Sequence, residues 1–135
     1  MTTTPHRRPA PLKVFLVEDD GLVAMLLEDM LQDAGHQVVG VVTRLEPALS
    51  MAQTVECDIA ILDVNLNGTP SFSVADVLNA RKVPVVFATG YGSSVGITVP
   101  GAVILQKPFD AQALSGALGE AMLSGVSTHE TEGRG

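Results

Sequence analysis

Tryptophan is absent from this 135-residue chain, tyrosine and cysteine occur once each, and phenylalanine only four times, so any core must be aliphatic. A single cysteine excludes an internal disulfide and agrees with a reducing compartment. Cys57 has no histidine or basic neighbour in sequence and reads as a small buried side chain, not an activated thiol. Lysine and arginine total eight against 15 acidic residues, for a net charge of -7 and a pI near 4.7. That balance lacks the clustered cations that counterion release from a phosphate backbone needs, so no direct nucleic-acid binding is expected. No apolar run approaches the roughly 18 residues that span a bilayer. The opening MTTTPHRRPAP has no apolar segment after its basic pair, so a secretory leader is not expected either. The expectation is a cytoplasmic protein without membrane contact. His6, His36 and His129 lack metal-ligand spacing and read as solvated residues of tails or a loop.

What is present is a globular balance, 46% hydrophobic and 17% charged, in a length that suits one domain. Residues 1-11 and 125-135 read as loose tails, leaving residues 12-124 as the domain. Five apolar runs, KVFLV (13-17), QVVGVV (37-42), DIAIL (58-62), VPVVFA (83-88) and AVILQ (102-106), are nearly continuous, as expected of a parallel sheet covered on both faces. Helical spacing links them. Val23, Leu26, Leu27, Met30, Leu31 and Ala34 mark one apolar face, with Gly35 as a stop; Leu45, Ala48, Leu49, Ala52 and Val55 mark a second. A shorter helix is expected from Phe72 to Ala80. A last one is capped by Asp110 and carries Leu114, Ala117, Leu118, Ala121 and Met122. Met25, Met30, Met51 and Met122 fall on or near these stripes as core filler. The stretch GYGSSVGITVPGA holds four glycines and a proline, so no stable helix is expected there. Strands alternating with helices predict an α/β doubly wound, five-stranded parallel sheet in the flavodoxin-like order 2-1-3-4-5, with helices on both faces. The first and third strands then lie side by side at the topological switch point.

Polar residues stand where these runs end: Glu18, Asp19 and Asp20 after the first, Asp63 after the third, Thr89 after the fourth and Lys107 after the fifth. Asp20 reads as a helix cap. The remaining carboxylates would converge and repel unless a hard cation neutralises them, and oxygen donors suit Mg2+. A magnesium ion beside a carboxylate and an ammonium suits phosphoryl transfer to the carboxylate, which needs no general base as a nucleophile.

The acidic pair, ILDVN, AT and KPF, in this order and spacing, resemble the receiver domain of two-component response regulators over about residues 12-124. The resemblance implies Asp63 as phosphoacceptor, and Mg2+ held by Asp19, Asp63 and the backbone carbonyl of Asn65, with Glu18 acting through water. It further implies that Thr89 and Lys107 bind the phosphoryl group and that the peptide before Pro108 is cis. Most of the family carries an aromatic switch residue where this chain has Ile104. The run FATGYG, with Tyr91, is similar instead to the Phe-Ala-Thr-Gly (FAT GUY) subgroup of stand-alone alphaproteobacterial receivers. By that likeness the partners are a sensor histidine kinase, of the HWE or a related type, or a phosphotransferase. With no output domain within these residues, the signal would pass to a downstream protein, or the chain would serve as a phosphate sink. Two alternatives stay open: a haloacid-dehalogenase-like phosphatase and a phosphorylation-independent binding module. The first needs an acid/base carboxylate two residues after the nucleophile, where Asn65 stands.

Overall fold

The computed structural model describes residues 11-90 and 102-134, with side-chain surroundings as far as Leu123. Strands β1 (Lys13–Val17), β2 (Gln37–Val42), β3 (Ile59–Asp63), β6 (Val85–Thr89) and β7 (Val103–Gln106) form one sheet in the order β2-β1-β3-β6-β7. All its pairings are parallel. Helices α1 (Gly21–Asp33), α2 (Leu45–Ala52), α3 (Phe72–Ala80) and α4 (Ala111–Arg134) join or follow the strands. A hairpin that the apolar runs do not reveal, β4 (Asn65–Leu66) with β5 (Thr69–Pro70), sits between β3 and α3. Leaving the hairpin out of the count, the main sheet has the expected order. The hairpin's two-residue strands are too short for periodicity, yet its turn is written in Asn67-Gly68, both at positive φ (53° and 88°), the pair that tight hairpin turns favour.

Alternate strand residues feed two cores. Val14, Leu16, Ile59, Ile61, Val86 and Leu105 face α1 and α4. Phe15, Val17, Ala60, Leu62 and Phe87 face the layer of α2 and α3. On α1 the buried positions are Ala24, Leu27 and Leu31, with Val23 and Met30 half-buried against them. Leu26 and Met25, expected inside, are instead 59% and 62% exposed and join Leu22 in an outward apolar stripe. The spacing marks an arc wider than the one the sheet covers. Met51 lies over β2, where a Cβ at Gly40 would stand 3.1 Å from its sulfur, and it stays 37% exposed. Helix α4 opens as expected, with the Ala113 N–H donating to Asp110 Oδ1 (2.8 Å). It continues over most of the 125-135 stretch read as a tail.

His36 corrects the sequence reading. It is buried, 5% exposed, and its Nδ1 accepts the Leu12 N–H at 3.0 Å. It follows a helix end closed by the Gly35 N–H on the Gln32 carbonyl and its own N–H on that of Leu31, with Gly35 at φ 93°. Burial pushes the imidazole pKa down. Beside it the Lys13 N–H donates to Asp58 Oδ2 at 2.8 Å, so two side chains satisfy the amides where the sheet begins. His36→Ala is expected to lower the unfolding free energy by about 1–3 kcal/mol in urea titrations, because the Leu12 amide loses its acceptor. An unchanged midpoint would show that water replaces the imidazole at no cost. Residues 1-10, Tyr91 and the whole of 91-101 lie outside the described residues.

Candidate phosphoacceptor and metal site

The carboxyl ends of β1, β3, β6 and β7 meet at one end of the sheet. Glu18 extends the β1–β2 ladder by donating its N–H to the Val42 carbonyl (3.0 Å), which draws its side chain inside; only 1% stays exposed. Its Oε2 accepts the Asp20 N–H at 3.1 Å. Asp20 turns away and caps α1, its Oδ1 accepting from Leu22 (2.9 Å) and Val23 (3.3 Å), as the sequence reading held. Asp63 ends β3 opposite Ala88, and its Oδ1 accepts the Asn65 N–H at 3.2 Å. The hairpin tip returns to β1, the Asn67 N–H donating to Asp19 Oδ2 at 2.9 Å. Asn65 uses its side-chain oxygen inside the hairpin, accepting from Gly68 at 2.6 Å.

Lys107 comes from the far side. Its N–H donates to the Thr89 carbonyl (2.8 Å), and its Nζ lies 3.0 Å from Glu18 Oε1 and 3.4 Å from Asp63 Oδ2. The Lys107–Pro108 peptide is cis. Thr89 is the buried last residue of β6. Ile104 pairs with Phe87 and packs half-buried on the α2–α3 side.

Glu18, Asp19 and Asp63 each place an oxygen within 4.8 Å of the others. Among the described residues, this cleft sets one ammonium against three carboxyl groups, so ionising all three leaves negative charge uncompensated. The cost falls on the most buried group. Burial, and then a hydrogen bond shared with Asp63, push Glu18 up to about 7, although Lys107 and the Asp20 N–H pull the other way. At Asp19, burial also favours the neutral acid, but the Asn67 N–H and hydrogen bonds to Asp63 and Glu18 outweigh it and hold the carboxyl below its ordinary range. Burial would lower Lys107, yet its bond to Glu18 and the charge of Asp63 keep the ammonium above its ordinary pKa. An all-oxygen, charge-excess donor set of this kind fits a hard divalent cation. A groove of about 550 Å³ between β7 and α4, lined by Ile104, Pro108, Phe109 and Ala113 among others, contains none of these carboxylates. The chemistry of the donor set outweighs concavity as a guide to the site.

Glu18, Asp19, Asp63, Thr89 and Lys107 are thus gathered at one end of the sheet, with Asn65 beside them. Two contributors escaped the sequence reading: the Asn67 N–H, announced by the Asn-Gly turn, and Ser71, whose hydroxyl donates to the Asp63 carbonyl at 2.6 Å. A serine ahead of a helix reads as a cap, and nothing in the string points it backward.

Comparison with known proteins bears on the fold and the family. The profile of the response regulator receiver domain matches residues 14–119. The chain is 29% identical over 125 residues to the phyllosphere-induced regulator PhyR of Methylorubrum extorquens, covering 89% of this chain and 47% of that protein. It therefore spans about half the length of the curated relatives it matches. The solution structure of SdrG from Sphingomonas melonis Fr1 is similar at 39% identity and a TM-score of 0.73, covering 84% of this chain and 98% of that one. The receiver domain of Erythrobacter litoralis PhyR gives 25% identity and a TM-score of 0.72, covering 84% and 91%. A match over this much of the sequence, on a five-stranded parallel sheet that gathers an acidic cluster at one end, places the chain in the response regulator receiver domain family of two-component systems.

Proposed function

We propose that the chain is a phosphorylation switch whose acceptor is Asp63. The observation that carries this reading is the placement of the Asp63 carboxylate at a strand end, between two further carboxylates and an ammonium 3.4 Å away. Asp19, Asp63 and the main-chain carbonyl of Asn65 would hold Mg2+, with Glu18 acting through water. The Asn65 side chain is already used in the hairpin, which favours its carbonyl for that task. When bound, Mg2+ supplies positive charge to the oxygens of the transferring phosphoryl group.

An oxygen of Asp63 attacks the phosphorus of a donor phosphohistidine. The P–N bond breaks, its electron pair returns to the imidazole nitrogen, and an acyl phosphate remains on Asp63. Lys107 offers a positive charge beside the new dianion, and Thr89 a hydroxyl donor at the end of β6. The amide of Asn65 transfers no proton at neutral pH, which disfavours phosphatase chemistry. The ion pairs to Lys107 favour a working acceptor over a binding module that has lost one.

The likeness to SdrG and to PhyR, which one solved structure from Bartonella quintana, 26% identical, describes as an anti-anti-sigma factor, supports a role exerted on partner proteins, and the FATGYG run supports the Phe-Ala-Thr-Gly subgroup. The donor would be a sensor histidine kinase of HWE or related type, or a phosphotransferase, acting on the unit of residues 12-124 in the cytoplasm. Among the described residues no helix is long and apolar enough to cross a membrane. Incubation with acetyl phosphate or a phosphorylated kinase, followed by intact mass, tests the proposal: an adduct should form with Mg2+ and not after chelation. No adduct in either case overturns it.

Lys107→Ala should still bind Mg2+, severalfold more tightly, since the ion no longer shares the cleft with an ammonium. Its phosphorylated form should lose the downstream response, because the group that pairs with the new charge is gone. Calorimetry and a partner-binding assay read the two effects. Weaker Mg2+ binding, or an intact response, would remove Lys107 from this role.

A further inference from the structure

Ser71 is fully buried and stands at the start of α3, yet its side chain makes no capping bond to that helix. A serine in this place ordinarily accepts from the second or third helical N–H. Here the hydroxyl points back along the chain and donates to the Asp63 carbonyl at 2.6 Å, while the Ser71 N–H donates to the Val64 carbonyl at 2.9 Å. Asp63 lies one residue beyond the last β1–β3 pair, Val17 with Leu62. The two bonds therefore close the segment from Asp63 to Ser71 at its base, on the side where β1 no longer pairs with it, while β6 still holds Asp63 opposite Ala88. Within that closed segment lie the Asn65 N–H on Asp63 Oδ1 (3.2 Å) and the Asn67 N–H on Asp19 Oδ2 (2.9 Å).

We infer that Ser71 is a positioning residue of the acidic site, its hydroxyl fixing the main chain of the segment that sets the Asp63 and Asp19 carboxylates. The inference rests on the cation-binding and phosphoacceptor reading above. A partner one shell outside a metal's ligands typically governs affinity by tenfold or more.

The test titrates the full chain with Mg2+ alone and follows the amide resonances of Asn65 and Asn67. Ser71→Ala should bind about tenfold more weakly, with both amides displaced already in the metal-free protein. Ser71→Thr should restore affinity, whereas Ser71→Val, matched to it in shape, should not. Should the threonine variant fail to fold, the alanine variant decides. Wild-type Mg2+ affinity in Ser71→Ala, with loss of unfolding stability only, overturns the inference, as do threonine and valine variants that behave alike. If Mg2+ binding depends on Ser71 while Asp63 accepts no phosphoryl group, the phosphoacceptor reading falls and this one stands. A wild-type chain that binds no Mg2+ overturns both.

Discussion

Asp63→Asn, treated with acetyl phosphate and Mg2+ under conditions that label the wild type, is expected to carry no acyl phosphate at all. The substitution keeps the shape and removes the nucleophile, and no neighbour can take over. Glu18 lies in the same cluster, but it is buried, with one oxygen on the Lys107 ammonium and the other on the Asp20 N–H. Asp19 is more open, yet the Asn67 N–H holds it, and the hydrogen bonds that lower its pKa also make it a weaker nucleophile. The effect is therefore all or nothing in an intact-mass spectrum. Label persisting on Asp63→Asn would move the acceptor elsewhere and end the assignment.

Raising the pH from about 5 to about 8 is expected to destabilise the metal-free protein and to strengthen its Mg2+ binding, both through Glu18. The ordinary value of this carboxyl is 4.5, and in the fold it is pushed up to about 7, first by burial and then by its hydrogen bond with Asp63. Below 4.5 it is protonated folded and unfolded alike, and its full favourable contribution is present. Between 4.5 and about 7 the unfolded chain ionises while the fold keeps its proton, so that contribution drains away as pH rises through the folded value. The whole change amounts to about 3 kcal/mol. Asp19 has the opposite sign: its depressed pKa stabilises the fold at neutral pH, and that contribution is lost as pH falls through the lowered value. Metal-free stability should therefore peak in mild acid, and Glu18→Gln should flatten the decline on the alkaline side. Mg2+ favours the ionised cluster, so below about pH 7 it must displace a proton, and its affinity should fall by up to about tenfold per unit. Urea titrations and calorimetry at several pH values read both trends. A metal-free stability that climbs steadily to pH 8, or a pH-independent affinity, would contradict the protonated Glu18.

The main sheet was legible because its central strands β1, β3 and β6 are buried on both faces and so spell near-continuous apolar runs; the edge strand β2 is less buried but still apolar, and β1 and β2 fall where those runs fall. The carboxylate at the end of β3 was legible for the same reason, since a charge closing such a run has nowhere to go but the sheet's rim. Side-chain direction was harder to read. Helical spacing could not tell Leu26, which faces solvent, from Leu27, which is 1% exposed, because both belong to the apolar arc and only the sheet's position divides them. His36 looked like a loop residue because its burial depends on β1 arriving alongside, a contact 24 residues distant. The pKa of Glu18 was equally hidden, since burial sets it and the sequence lists only its neighbours.

Strand β3 is central, paired with β1 on one side and β6 on the other, and both pairings are parallel. Parallel neighbours cannot meet through a tight turn; each must wait for a crossover to close between them. The sheet is therefore built from contacts far apart along the chain, which places its assembly among the slower topologies. Asp63 rides on the strand that needs two of those closures, and Lys107 reaches it only after β7 has docked on β6. No early fragment of this chain, whether emerging from the ribosome or caught in refolding, brings Asp63, the proposed acceptor, and its counter-charge together. Competence for phosphorylation should arise late and in one step, with the completed sheet.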